Sequence, residues 1–415
     1  MTWPNRLLCD SPAPLGRKSV TGGAVARVWL AILALALCHA STSAAVTQLH
    51  PRADNEVLET LAAPTVRLPM SAQSGATGRD LTAVIGQAHG EITLARQTGD
   101  MRYWGRAQAL LAPWWDQDGA PTDLVVLQAT VQQGRHEFDA ARRLLGLAVA
   151  RAPGHAQAWL DLAALARLQA DYGAALRACD AVERAGVALY AQACRLETLS
   201  LQGQQAQATQ DFRKLIAVSQ DKGQQSWLLS LLAENLERAG QDGAALEAYR
   251  SSLAAQHDLY TAVALSDLLL RTGQLEPALR LLEPLPRTDA VLLRQASAMR
   301  RLGDPRWTVV RDELRGRAAD MRRRGDNVEL HAREAALVAM WLEDDSQLAL
   351  ALAWRNLGLQ REPLDWWLVS HSARLVGDEP AWRALDKQRK AAGLRDRRLE
   401  LPWRRPAQGR SKESS

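Results

Sequence analysis

The sequence predicts an all-α fold, a solenoid of antiparallel helix pairs, on three observations. From Leu81 to about Gly393 apolar residues recur at intervals of three and four, the period of an α-helix with one buried face. Polar turns such as QADYG and RTGQ interrupt this pattern every dozen or so residues. The same region lacks the strict apolar–polar alternation of a β-strand. The chain is therefore predicted to run helix after helix through short turns.

A small residue opens every second helix at a regular interval. These residues are Ala107, Ala141, Ala175, Ala208, Ala245 and Ala278, at spacings of 34, 34, 33, 37 and 33 residues. A single helix pair cannot bury its apolar face alone, whereas each neighbouring pair supplies the missing wall. The alanines are therefore predicted to be packing residues that let the helices of the array approach closely.

This pattern resembles the tetratricopeptide repeat family, well over 81–290 and more weakly beyond. In the clearest unit, residues 158–186, the matching positions are Trp159, the Leu162-Ala163 pair, Tyr172 and Ala175. The resemblance implies a right-handed solenoid whose first helices line a concave groove that binds an extended peptide or a partner protein. About nine pairs are expected, with degenerate pairs and a cap over 291–393.

The groove that this resemblance implies carries polar residues of both charges. Its predicted positions are Gln128, Gln132, Arg167, Glu197, Glu234, Glu237, Arg238, Asp267, Arg271, Arg300 and Arg301. If Arg238, Arg271 and Arg301 form a ridge, the partner should present acidic or terminal-carboxylate groups, which arginine binds by charge-assisted hydrogen bonds. Reversing all three to Glu is then expected to abolish capture and leave stability unchanged. The alternative for each position is a solvated helix face.

The N-terminus is predicted to be a cleavable signal peptide over residues 1–45. The apolar run RVWLAILALALC (27–38) follows basic residues and precedes HASTSAA (39–45), whose small residues suit cleavage after Ala45 or a neighbouring alanine. That run is too short to span a bilayer comfortably, although an N-terminal anchor is the alternative. Export to the periplasm or secretion follows, with no transmembrane span in the mature protein. Residues 46–80 are predicted to be a linker.

The formal charge of +5 does not indicate binding to nucleic acid. The first 45 residues carry +3 and residues 395–415 carry +4, which leaves −2 for the body of the chain. The excess positive charge therefore lies at the two ends of the chain. Residues 394–415 are predicted to be a disordered basic tail.

No catalytic, cofactor or metal motif is apparent in the sequence. It contains no H-E-x-x-H, G-x-S-x-G or G-x-G-x-x-G, and its histidines do not pair at metal-ligand spacing. We therefore expect an exported, non-catalytic scaffold that binds a protein or peptide in the cell envelope and needs no cofactor. Two alternatives are an envelope enzyme or hydrolase accessory with its chemistry in the C-terminal pairs, and a structural subunit of a larger complex.

Cys179 and Cys194 are the two cysteines that remain once the leader is removed, an even number in an oxidising compartment. They lie seven residues before and eight residues after Gly186, the predicted turn between two antiparallel helices. This near-symmetry places them at similar heights and predicts a disulfide. The alternative is two buried free thiols in an alanine-rich core.

Overall fold

The described part of the chain consists of helices and their connections. A computed structural model describes residues 81–323, 325 and 327–403, and gives no side-chain description for 328 and 329. Within these ranges eighteen α-helices form nine consecutive pairs. The first helices of the pairs are α1 (Leu81–Thr98), α3 (Thr122–Gly134), α5 (Ala156–Leu168), α7 (Ala188–Leu201), α9 (Lys222–Arg238), α11 (Leu259–Arg271), α13 (Asp289–Arg301), α15 (Ala332–Trp341) and α17 (Pro363–Val376). The second helices are α2 (Met101–Leu111), α4 (Phe138–Arg151), α6 (Tyr172–Arg184), α8 (Gln205–Val218), α10 (Asp242–Ala255), α12 (Leu275–Leu282), α14 (Trp307–Arg323), α16 (Ser346–Leu359) and α18 (Glu379–Ala392).

The alanines that reveal the repeat are the packing residues of the second helices. All six lie in α2, α4, α6, α8, α10 or α12, and none is more than 1% exposed. Large residues three positions earlier, among them Trp104 and Tyr172, are buried beside them. The predicted all-α solenoid of helix pairs is confirmed, and the described array contains the predicted nine pairs.

Aspartate side chains cap the N-termini of several helices, which allows the polar turns between helices to be short. Asp171 Oδ1 accepts a hydrogen bond from the backbone N–H of Ala174 at 2.9 Å, and Asp258 Oδ1 accepts one from Thr261 at 2.8 Å. Each satisfies a donor that lacks an intrahelical partner in the first turn of a helix. A cap of this kind allows one helix to begin a few residues after the previous one ends.

First helices are buried on more of their surface than second helices. Eleven of the 17 residues of α9 are buried, against four of the 14 residues of its partner α10. The first helices therefore lie inside the array, where their polar residues must find partners within the chain.

Contacts between distant pairs cover part of the first helices. The α1 helix contacts α11, and a Cβ atom at Gly99 would overlap the side chain of Thr288. The backbone N–H of Arg361 donates to the carbonyl oxygen of Leu168, the last residue of α5, at 2.7 Å. Pair 1 thus meets pairs 6 and 7, and pair 3 meets the start of pair 9. A groove along the first helices is interrupted where these contacts lie.

Cys179 of α6 and Cys194 of α7 form the predicted disulfide. Their Cα atoms are 5.7 Å apart, and both side chains are fully buried. The bridge links pair 3 to pair 4 across the turn at Gly186. Closing a loop of this length contributes about 3 kcal/mol in the chain-entropy account, mostly by restricting the unfolded chain.

Residues 394–403 differ from the predicted disordered tail. Leu394 and Leu399 are buried in the same core cluster as Leu201 of α7, so this segment packs onto the array. Charge composition alone suggested disorder because arginines separate the two leucines, and the packing of those leucines overrides it. Residues 404–415, the predicted signal peptide and the predicted linker lie outside the described residues.

Candidate partner-binding site

Arginine–carboxylate pairs connect neighbouring first helices. Arg167 of α5 pairs with Glu197 of α7 at 3.0 Å, with side chains only 5% and 2% exposed. Further along, Arg271 of α11 pairs with Glu237 of α9 at 2.9 Å, and Arg294 of α13 with Asp267 of α11 at 2.7 Å. These pairs hold the repeats in register, so much of the polar character of the first helices serves packing between repeats.

The residues predicted to line the groove divide into two classes by accessibility. Gln128, Arg167, Glu197, Glu237 and Arg238 are buried, and the Gln128 amide donates to the carbonyl oxygen of Trp114 at 2.8 Å. The accessible or half-buried members are Gln132, Glu234, Asp267, Arg271, Arg300 and Arg301. Only this second class can meet a partner in the present conformation.

The predicted arginine ridge is engaged within the chain. Arg238 is 3% exposed, and its Nε atom donates to Ser200 Oγ at 2.9 Å. Arg271 pairs with Glu237 and with Asp242, at 2.9 and 2.7 Å, and Arg301 Nη1 donates to the carbonyl oxygen of Leu270 at 2.6 Å. Charge reversal at Arg238 would therefore disturb packing, contrary to the expectation that stability would stay unchanged.

Arg300, the remaining predicted arginine, also bridges two pairs. Its Nη1 atom donates to the carbonyl oxygen of Trp341, the last residue of α15, at 2.7 Å, and its Nη2 atom bonds the Asp344 carboxylate. The guanidinium also lies over the ring of Trp307, 5.0 Å from the ring centre. Arg300 therefore links pairs 7 and 8.

Three aromatic residues that the sequence reasoning missed lie on the first helices. Tyr190 of α7, Trp227 of α9 and Tyr260 of α11 each stand 18 residues before the packing alanine of their own pair. The rings of Tyr190 and Trp227 are stacked, with centres 5.4 Å apart. Tyr260 is 45% exposed. We call these three residues the aromatic row.

Carboxylates follow the aromatic row on the same helices. Glu197, Glu234 and Asp267 stand 11 residues before the same three alanines, seven residues after each aromatic residue. Seven residues are two helical turns, so both positions lie on one face. The Tyr260 hydroxyl donates to Glu234 Oε1 at 2.6 Å and joins α11 to α9.

The Glu234 carboxylate of this face is desolvated by burial. Burial raises its pKa to about 7, although Arg238 and the Tyr260 hydroxyl both favour the charged form. Arg238 Nη1 is 3.5 Å from Glu234 Oε2, too long for a strong hydrogen bond. The periodic signal for both rows was present in the sequence, because their spacings equal those of the packing alanines.

Comparisons with known proteins establish no family for this chain. No family model matches it, and no curated protein matches it. Solved structures do match, among them that of MamA AMB-1 in crystal form P212121. That match has 16% sequence identity and a TM-score of 0.28, and covers 42% of this chain and 91% of the other. A match at that score carries no argument about function.

Two features are absent from the part of the chain that the structure describes. It contains no helix whose length and hydropathy would suit a bilayer span. It also shows no group of three or more His, Cys, Asp or Glu side chains arranged to hold a metal ion.

Proposed function

We propose that this chain is an exported, non-catalytic repeat scaffold of the cell envelope that binds an extended segment of a partner protein. The observation that carries this proposal is the aromatic row, which repeats at one register on three consecutive first helices. Aromatic side chains contribute large contact area at little entropic cost and are enriched among the residues that dominate binding energy. Tyr260 is exposed, whereas Tyr190 and Trp227 are partly buried against the core of the array. Tyr260 and Trp227 are the proposed anchors.

The proposed partner segment is apolar or planar in its side chains rather than acidic. Arg238, Arg271 and Arg301 are each bonded within the chain, so they do not offer a row of unpaired cations. The carboxylates that follow the aromatic row are also bonded within the chain, Glu234 to the Tyr260 hydroxyl at 2.6 Å and Asp267 to Arg294 at 2.7 Å. With these charges paired within the chain, the face offers chiefly aromatic surface, which accepts a segment whose side chains stack.

Site-specific cross-linking tests this proposal. A photo-reactive phenylalanine analogue at position 260 should capture a defined protein in cells, whereas the same residue at position 309 should not. Val309 is a matched control because it is 70% exposed and lies on a second helix, α14. Equal adducts from the two positions would place the partner elsewhere.

The captured protein then allows affinities to be measured. Trp227→Ala and Tyr260→Ala should each weaken binding at least about tenfold, the loss typical of a buried aromatic anchor. Tyr260→Phe keeps the ring and should retain most of the affinity, while Val309→Ala should leave it unchanged. Undiminished affinity in both alanine variants would contradict the proposed anchors.

Export is the second part of the proposal, and the disulfide supports it. Disulfides persist mainly in oxidising compartments, which fits a bridge buried between pairs 3 and 4. We expect the mature protein to begin after Ala45 or a neighbouring alanine, as read by mass spectrometry of its N-terminal peptide. Recovery of an intact peptide containing Trp29 from the soluble protein would contradict cleavage.

A further inference from the structure

Residues 394–403, which follow α18, form a segment that we call the strap. Its sequence is LRDRRLELPW, and it contains neither helix nor strand. Leu394 is fully buried and Leu399 is 4% exposed, so two leucines five residues apart anchor it. Between them Asp396 is 1% exposed and pairs with Arg398 of the strap itself at 2.7 Å.

The ends of two first helices bind the backbone of the strap. The N–H of Arg395 donates to the carbonyl oxygen of Leu201 at 2.8 Å, and the N–H of Arg397 donates to that of Arg238 at 3.0 Å. Leu201 and Arg238 are the last residues of α7 and α9, where helix carbonyls lack an intrahelical partner. Arg395 and Arg397, two positions apart in the strap, therefore bind two successive first helices of the array.

Side chains of the array bind the carbonyl groups of the strap. Gln205 Nε2 donates to the carbonyl oxygen of Arg395 at 3.0 Å, and Arg389 Nη1 to that of Leu394 at 2.8 Å. Arg374 donates to two more carbonyl oxygens, those of Leu401 at 2.6 Å and Pro402 at 2.9 Å. Several of these contacts are made to backbone groups of the strap, and the Arg398 side chain also pairs with Glu237 of α9 at 3.3 Å. Between the two leucines the strap forms a turn, in which the N–H of Leu399 donates to the carbonyl oxygen of Asp396 at 2.9 Å.

The strap does not fill the space around it. A cleft of about 750 Å³ lies between the strap and α18, with Trp382 and Lys390 in its wall. A smaller cleft of about 230 Å³ is lined jointly by Arg395 and Arg397 of the strap and by Gly203 of the array. The strap is therefore held by its two leucines and its polar contacts, with open space beside it.

We propose that the surface under the strap is a peptide-binding site for segments that, like the strap, form a turn between two leucines five residues apart. In this chain its own strap occupies the site, and a partner segment with the same pattern would replace it. The two leucines supply the apolar anchors, and Leu201, Arg238, Gln205, Arg374 and Arg389 bind the backbone. This site shares no residue with the aromatic row.

Peptide exchange tests the site directly. A specific protease sequence inserted after Gly393 allows the strap to be cut once the full chain has folded. A fluorescent peptide of residues 394–403 should then bind the cut chain saturably, as followed by anisotropy. The same peptide with Leu394→Asp and Leu399→Asp should bind at least about tenfold more weakly, since both apolar anchors are lost. Equal binding of the two peptides would overturn the proposal.

Hydrogen exchange on the uncut chain gives a measurement that needs no variant. The amides of Arg395 and Arg397 should exchange through a local opening, faster than the amides in the middle of α9. Exchange of both sets together, only by global unfolding, would show that the strap is a fixed part of the core and would overturn the proposal. Trp227→Ala and Tyr260→Ala should leave strap exchange unchanged, so failure of this site and failure of the proposed function are distinguishable.

Discussion

Asp365→Ala should lower the free energy of unfolding by about 3–5 kcal/mol, because it leaves a half-buried arginine without its main partner. Asp365 is fully buried in the first turn of α17. Its carboxylate accepts from Arg333 Nε at 2.6 Å and Nη2 at 2.7 Å, and from Asn356 Nδ2 at 2.6 Å. It also accepts from the backbone N–H of Glu362 at 2.8 Å and completes the capping box of this helix.

Urea unfolding followed by circular dichroism and by tryptophan fluorescence measures this loss. The matched control is Asp139→Ala, which removes a carboxylate that is 81% exposed and 3.3 Å from Arg142. An exposed pair of this kind contributes about 1 kcal/mol or less. Similar losses in the two variants would show that the Asp365 network does not hold pairs 8 and 9 together.

The repeat itself could be predicted from the sequence because packing residues recur with the repeat. The alanines from Ala107 to Ala278 have to be small wherever two helices cross, so their spacing marks each pair. The disulfide was predictable for a related reason, since Cys179 and Cys194 are nearly symmetric about the turn at Gly186.

Contacts between distant pairs left no comparable signal. The hydrogen bonds from Arg361 to Leu168 and from Arg395 to Leu201 join backbone atoms, which every residue type except proline can supply. The strap was misread for the same reason, because its arginines dominate the composition while its backbone makes the contacts. Contacts between distant pairs depend on how the packing angles of many successive helix pairs add up. No pattern within a single pair encodes them.

The candidate site was only partly predictable, because one helix face serves two purposes. Residues that bridge adjacent first helices and residues that line their accessible face recur with the same period. Arg167 and Glu197 therefore look like binding residues in the sequence, yet they form a buried pair. The aromatic row was not predicted, because charged residues with the same spacing on the same helices were the more evident sign of a binding surface.

Arg238→Glu distinguishes the two interpretations of this face most directly. The structure predicts a loss of about 3–5 kcal/mol in unfolding free energy, because the change buries a carboxylate beside Glu234 and removes the donor to Ser200. Arg301→Glu is the matched comparison, since that side chain is exposed and bonds only the Leu270 carbonyl oxygen among the contacts described. Its loss should be about 1 kcal/mol, the value of one hydrogen bond.

Thermal and urea unfolding of the two variants, measured beside the cross-linking yield from position 260, decides between packing and binding. An Arg238→Glu protein that melts like the unmodified chain but captures no partner would restore the arginine ridge as the binding surface. A large loss of stability in Arg238→Glu, with near-normal stability and capture in Arg301→Glu, would establish that the ridge arginines serve the contacts between repeats. Because the strap bonds the backbone carbonyl of Arg238 and not its side chain, strap exchange should survive the substitution wherever the array remains folded.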